Sequence, residues 1–169
     1  MLGKEVRMKR LIPGDDGKYF GLTVDHAIAR GVMPGLDTIE QTLREMAAGR
    51  PNAITMNKGI ADKCFRPYAG QVPLVLKLTT FGVYHFDSDV QTADVEEALA
   101  YGADAVSCGC IVGGDNQEQQ LHQLAVISKE AHKYGMPLIS HIYPRGNRIE
   151  KSEQYTICLL YTSDAADEG

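Results

Sequence analysis

One rhythm narrows the folds open to this chain more than any other feature: short apolar runs alternate with segments of helical periodicity. That is the signal for βαβ units on a parallel sheet. "YFGLTVD" (19–25), "NAITMNK" (52–58), "VPLVLKLTT" (72–80), "ADAVSCGCIV" (103–112) and "MPLISHIYP" (136–144) read as five strands. Between them, Leu36, Ile39, Leu43, Met46 and Ala47 recur at helical spacing up to Gly49 as a C-cap. A short helix is expected around 59–65, and Asp94 to Tyr101 makes another, closed by Gly102. A longer helix follows "GGD" with Asp115 as its cap, carries Leu121, Leu124, Ala125 and Ala131 on one side, and stops at Gly135. "FGVYHFDSD" (81–89) reads as a polar, aromatic loop.

The connections carry as much information as the elements. In "AYGADAV" and "KYGMPLI" a helix ends in Tyr-Gly and the next strand begins within two residues, the tight αβ loop of a barrel or a doubly wound sheet. Five units in about 145 residues means about 29 residues each, close to the ~31 of one eighth of a ~250-residue barrel. No G-x-G-x-x-G follows the first strand, so a dinucleotide-binding sheet has little support. The expected fold class is α/β, a TIM (β/α)8 barrel of which about the first five βα units are present.

Several function classes fall away on charge and hydropathy. A net charge of −5 without a Lys/Arg cluster leaves no basic stripe to displace counterions from phosphates, so no nucleic-acid partner is expected. The first twenty residues are positively charged but lack an apolar core of seven or more, and no later run is long enough to span a bilayer. No membrane partner is expected, and the default location is the cytoplasm. Cys64, Cys108, Cys110 and Cys158 are too sparse for a disulfide framework, and "CGC" is one residue too tight for a zinc knuckle, so they read as reduced thiols.

In a barrel, chemistry gathers at the C-terminal ends of the strands. Here those ends hold Asp25 and His26, Asn57 and Lys58, Thr79 and Thr80, Cys110 to Gly113, and Tyr143 to Gly146. Asp25 in "VDHA" and Tyr143 in "IYPRG" place an acid and a phenol where a strand should simply stop. A loop cap and an amphipathic plug are the bland accounts of the two. His26 and His141 read first as satisfied polar groups. Lys77, in mid-strand on the face shared by Val75 and Thr79, needs a charged partner or a functional site, and pointing into the barrel mouth would supply one. "GGDN" offers a helix N-terminus to a phosphate, and equally is an ordinary strand-to-helix turn.

"MLGKEVRMKRL", "TVDHAIARGVMPGL", "MNKGIA", "YGADAVS" and "KYGMPLISHIYPRG" follow one another from about Met1 to Ile149 in an order and spacing that resembles the class I aldolases of the DeoC/FbaB/LsrF type. That family includes archaeal-type fructose-bisphosphate aldolases, 2-amino-3,7-dideoxy-D-threo-hept-6-ulosonate synthases and thiolases acting on phospho-autoinducer-2 products. The resemblance implies a TIM barrel, no cofactor, a phosphorylated sugar or keto-phosphate as substrate in carbohydrate metabolism, and a homo-oligomer, commonly a decamer. It also implies a Schiff base between a lysine on the sixth barrel strand and the substrate carbonyl, the imine serving as the electron sink for C–C cleavage or formation. Asp25 and Tyr143 match the family's proton-transfer pair. His26, Lys77, Arg145 and Gly146 are the expected substrate-binding residues. The chain departs from the family pattern at Ala27, where relatives often carry the glycine of "DHG", and in "SCGCIVGG", where they carry a valine-histidine-type strand. Two alternatives stand beside this reading: a metal-dependent aldolase using His26, His141 and a cysteine, and a sugar-phosphate-binding barrel without catalysis.

The last run, "CLLYTSDAADEG", has neither a strand's alternation nor a helix cap, and it resembles the in-frame translation of a sequencing-library transposase adapter. The expected division is therefore 1–156 as the N-terminal part of the barrel and 157–169 as non-native. The imine lysine, about one βα unit or roughly 30 residues beyond Tyr143, would then fall past residue 169. Such a piece of a barrel is expected to be unstable and inactive as an aldolase.

Overall fold

A computed structural model describes residues 1–149; the run 157–169, Cys158 included, lies outside the described residues. The elements in order are α1 (Leu2–Leu11), β1 (Gly21–Thr23), α2 (His26–Arg30), α3 (Ile39–Ala48), β2 (Ala53–Asn57), α4 (Lys58–Cys64), a 3-10 turn (Arg66–Tyr68) and β3 (Leu74–Lys77). They continue through β4 (Thr79–Gly82), β5 (His85–Gln91), α5 (Val95–Ala100), β6 (Ala105–Val112), α6 (Gln117–Tyr134) and β7 (Leu138–Pro144). Five strands form one parallel sheet in the order β1-β2-β3-β6-β7, so each new βα unit adds its strand beside the last, as in a TIM barrel.

The five anticipated strands are all present. Local chemistry explains their punctuation. Asp94 caps α5 through a full capping box: Glu97 N donates to Asp94 Oδ1 at 2.7 Å and Asp94 N donates to Glu97 Oε2 at 3.2 Å. Gly135 ends α6 at φ +58°, a left-handed step that costs glycine nothing. Gly49 is the C-cap of α3 as expected; it stays right-handed, and the left-handed step that follows is taken by Arg50. One expected cap falls differently. Asp115 does not cap α6, because its carboxylate is held by Asn147 Nδ2 at 2.7 Å and Arg148 Nε at 2.7 Å. The buried stripe of α6 is Gln120, Leu124, Ile127 and Ala131, spaced four, three and four residues apart, while Ala125 is exposed.

Three elements were not anticipated. The stretch read as a loop at 81–89 is a β-hairpin, with Thr79 opposite Gln91, Thr80 opposite Val90 and Phe81 opposite Asp89. Its β-branched and aromatic first strand suits a ladder, and the register slips at Phe81/Gly82. The short α2 follows β1 at once. α1 crosses the N-terminal end of the sheet, where Arg10 Nη1 bonds Asp104 Oδ1 at 2.9 Å and Arg7 Nη1 bonds the Gly135 carbonyl at 3.0 Å.

Strand parity divides the sheet into two faces. Ile54, Met56, Leu74, Leu76, Val106, Cys108 and Cys110 join Leu43, Leu124, Ile127 and Ala131 in the main core beneath the helices. On the other face Ala53, Val75 and Ala105 form a small cluster with Leu11 of α1, which closes the base. Further along, this inner face turns polar through Asn57, Lys77 and Ser107, which are paired in register. Among the described residues, no helix is long and apolar enough to cross a membrane.

Candidate active site

The inner face ends in a cavity of about 90 Å³ at the carboxyl ends of the strands. Asp25 reaches it from the end of β1. It occupies the N-cap position of α2 but makes no capping bond there, so the bland reading of a loop cap does not describe it. Instead Thr23 Oγ1 donates to Asp25 Oδ1 at 2.5 Å, and Asn57 Nδ2 donates to the Asp25 carbonyl at 3.0 Å, fixing the carboxylate and the backbone behind it. Lys77, at the end of β3, is 6% exposed and brings Nζ to 3.9 Å from Asp25 Oδ2. Burial lowers the lysine's pKa, against the opposing pull of Asp25 and Asp89.

Tyr143 enters from β7. Burial raises its phenol, and Asp25 and Asp89 push it further up against the opposing pull of Arg145, so it is a protonated hydroxyl at neutral pH. Its ring lies edge-on to Phe81 of the hairpin at 6.4 Å and parallel to His141 at 6.3 Å, which fixes where the hydroxyl points. The Arg145 guanidinium stacks over Phe81 and Tyr143 at 4.1 and 4.5 Å. Burial and the Lys77 charge push His141 down to about 4, leaving a neutral imidazole.

Of the residues singled out from the sequence, Asp25, His26, Lys77, Thr80, Tyr143 and Arg145 line this one cavity. His26 Nδ1 lies 3.6 Å from Asp25 Oδ1. Gly146 does not line it. Its backbone N donates to the Val112 carbonyl at 3.0 Å, and a Cβ there would strike Gly113 and Gly114, so this glycine permits a close approach of two loops. The "GGDN" turn has spent donors on protein partners: Gly113 N bonds Gln117 Oε1 of α6 at 2.7 Å, and Asp115 N bonds Asn147 Oδ1, in the segment after β7, at 3.2 Å. Lys58 is turned away into a 2.7 Å ion pair with Glu97.

Cys64, Cys108 and Cys110 are free thiols. Burial pushes Cys108 up to about 11 and Cys110 up to about 12, and both face the helix-side core, so neither is a nucleophile for this cavity. Among the described residues no three His, Cys, Asp or Glu side chains converge as metal ligands, so His26, His141 and a cysteine do not form the donor set of the metal-dependent alternative.

Sequence reasoning missed Arg30 and Asp89, both of which line the cavity. Arg30 ends α2, a helix too short to show periodicity. Asp89 is buried while its neighbour Val90 is exposed, the reverse of what hydropathy suggests. With them the cavity holds three cations (Arg30, Lys77, Arg145) and two carboxylates (Asp25, Asp89), an excess of positive charge suited to an anionic ligand. A carboxylate, a protonated phenol and a buried amine facing one small cavity can move protons on a bound hydroxyl or carbonyl.

Comparison with known proteins agrees with this geometry. The sequence model of the DeoC/LacD family aldolases matches residues 20–165. The chain is 32% identical over 154 residues to the 2-amino-3,7-dideoxy-D-threo-hept-6-ulosonate synthase of Halobacterium salinarum, covering 89% of this chain and 57% of that protein. It is 32% identical over 140 residues to the class 1 fructose-bisphosphate aldolase of Thermoproteus tenax, covering 79% of this chain and 52% of that one. A solved Schiff-base-forming fructose-1,6-bisphosphate aldolase superposes with a TM-score of 0.76 at 29% identity, over 88% of this chain and 60% of its own. The chain thus spans a little over half the length of the relatives it matches. With matching sequence over most of its length and the same curled parallel sheet, the chain belongs to the DeoC/LacD aldolase family.

Proposed function

We propose that the whole protein is a class I aldolase that cleaves or forms a C–C bond in a phosphorylated sugar or keto-phosphate. The observation that carries this reading is the convergence of Asp25, Lys77, Tyr143 and Arg145 on one cavity at the carboxyl ends of the strands, in a chain of an aldolase family. The imine-forming lysine is assigned to the sixth barrel strand, outside the described residues. Its amine attacks the substrate carbonyl carbon and, through a carbinolamine, expels that oxygen as water to give the protonated imine. Tyr143, held protonated, donates to the departing oxygen. Asp25 takes the proton from the substrate hydroxyl whose O–H bond breaks as the C–C bond beta to the imine opens, with the electron pair passing into the enamine. Arg30, Arg145 and Lys77 supply the positive field for a phosphate.

Relatives support the substrate class. One is a fructose-bisphosphate aldolase, and another, 26% identical and from Streptomyces griseus, is a 2-amino-4,5-dihydroxy-6-oxo-7-(phosphonooxy)heptanoate synthase. The reading extends to a homo-oligomeric, cytoplasmic enzyme; light scattering on the purified whole protein reports the oligomer. The decisive experiment is borohydride trapping of the whole protein with fructose 1,6-bisphosphate or dihydroxyacetone phosphate, followed by peptide mass spectrometry. A reduced adduct on a lysine of the sixth strand supports the reading. EDTA-sensitive turnover without any adduct would remove it.

A further inference from the structure

Gly109 is an inner-face position on β6 without a side chain, in the strand that departs from the family pattern. A Cβ there would collide with Asp89 Oδ2, so the carboxylate of Asp89 fills the place that a side chain of β6 would take. Asp89 belongs to β5 of the hairpin and is 3% exposed. Its main chain is clamped by α6: Asp89 N donates to Gln120 Oε1 at 3.2 Å, and its carbonyl accepts from Gln120 Nε2 at 2.9 Å and Gln123 Nε2 at 3.3 Å. Gln120, itself buried, also takes the Ile111 N–H at 3.3 Å, tying hairpin, helix and barrel strand together.

The carboxylate is satisfied on one side only: the Thr79 hydroxyl and the Val90 main chain act on it as hydrogen-bond donors, and one oxygen is left over. Thr79 Oγ1 accepts from Gly109 N at 2.6 Å, which leaves its own proton for Asp89. Asp89 Oδ1 remains buried with no hydrogen-bond partner, in a residue that lines the cavity. A buried carboxylate oxygen left without a donor is costly, and so is rigidly positioning it by two glutamines, unless a ligand supplies the missing bond. The chemistry of the donor is bounded by the neighbours. Phosphate is repelled by the carboxylate and is drawn instead to Arg30 and Arg145. A second ammonium is disfavoured because Lys77 and Arg145 already act on Asp89 electrostatically. A neutral hydroxyl fits.

We propose that Asp89 is a specificity residue whose Oδ1 accepts a hydrogen bond from a hydroxyl of the substrate chain, with Gly109 as the residue that makes room for it. The enzyme then selects a hydroxyaldehyde over its deoxy counterpart. This rests on the aldolase reading. The test uses the whole protein with dihydroxyacetone phosphate and two aldehydes, glyceraldehyde 3-phosphate and the same molecule lacking its 2-hydroxyl. The wild type is expected to prefer the hydroxylated aldehyde in kcat/KM by about 10- to 100-fold. That ratio falls toward one in Asp89→Ala, and also in Gly109→Ala, which expels the carboxylate without removing it; the isosteric Asp89→Asn guards against loss of the fold and is expected to retain an intermediate preference. A ratio that stays at the wild-type value in Asp89→Ala and Gly109→Ala, or equal losses for both aldehydes, overturns the proposal. If the wild type neither traps an adduct nor turns over, the aldolase reading fails separately. Calorimetric binding of the two aldehydes then carries the same comparison, and equal wild-type affinities overturn the role of Asp89.

Discussion

The two faces of the parallel sheet are built from alternate residues of the same strands, yet they answer to different demands. On the helix side Ile54, Met56, Leu76 and Val106 are fully buried among apolar neighbours. On the inner side the strands bury Asn57, Lys77 and Ser107, the hairpin adds buried Thr79 and Asp89 beside them, and oxygen atoms of Asn57, Asp89 and Ser107 are left without hydrogen bonds. The first face follows the hydrophobic rule; the second violates it within a few ångströms of the cavity. The lesson is that one register carries both stability and chemistry, separated by parity, and that unsatisfied polar burial marks the functional side.

Mutations can break this division. The largest expected effect is on turnover: in the whole protein Asp25→Asn or Tyr143→Phe lowers kcat by about 10²- to 10⁴-fold, with thermal unfolding unchanged, as steady-state kinetics and calorimetry would show. A loss of fold in either variant would mean that the inner face also carries stability. On the other face, Leu76→Ala is expected to cost about 2–5 kcal/mol in urea unfolding, because the cavity it leaves lies under packed helices. Removing both charges of the inner ion pair, Lys77→Met with Asp25→Leu, is expected to stabilise the fold by about 1–4 kcal/mol while abolishing activity. If that double variant is less stable than wild type, the charges hold the fold together and the division fails.

The pH dependence sharpens the same contrast. His141 is depressed to about 4 by burial first and by the Lys77 charge second, with Asp25 opposing. A base with a lowered folded pKa binds fewer protons folded than unfolded. Its contribution is therefore complete above the ordinary histidine value near 6.5, and it drains away as pH falls from there toward 4. The expected loss is about 3 kcal/mol, read from urea midpoints across that window, and His141→Gln should flatten the slope. Smallest of all, Ser107→Ala is expected to leave stability within about 1 kcal/mol of wild type or raise it slightly, since its buried hydroxyl has no partner to lose.

The legible parts of the molecule were those with a local cause. The five strands, the helix opening at Asp94 and the helix stops at Gly102 and Gly135 follow from periodicity and backbone chemistry within a few residues. Asp25, Lys77 and Tyr143 could be singled out because polar residues at the ends of apolar strands break a pattern. The hairpin could not. "HFDSDVQ" buries Asp89 and exposes Phe86 and Val90, and what stabilises that inversion comes from Gln120 and Gln123 some thirty residues on. The space at Gly109 was equally invisible, because a missing side chain has meaning only beside the carboxylate that fills it.

The strand order has a bearing on how such a protein comes to be folded. Because β1, β2, β3, β6 and β7 pair strictly in the order of synthesis, each βα unit leaving the ribosome meets a ready-made template on the strand before it, and none of these four pairings waits for a distant segment; only the outer side of β1 does. Growth proceeds from one moving edge. That edge and the outer side of β1 are exposed at every stage, so the time between one strand and the next is an interval in which a chaperone, or a neighbouring chain, competes with the native partner.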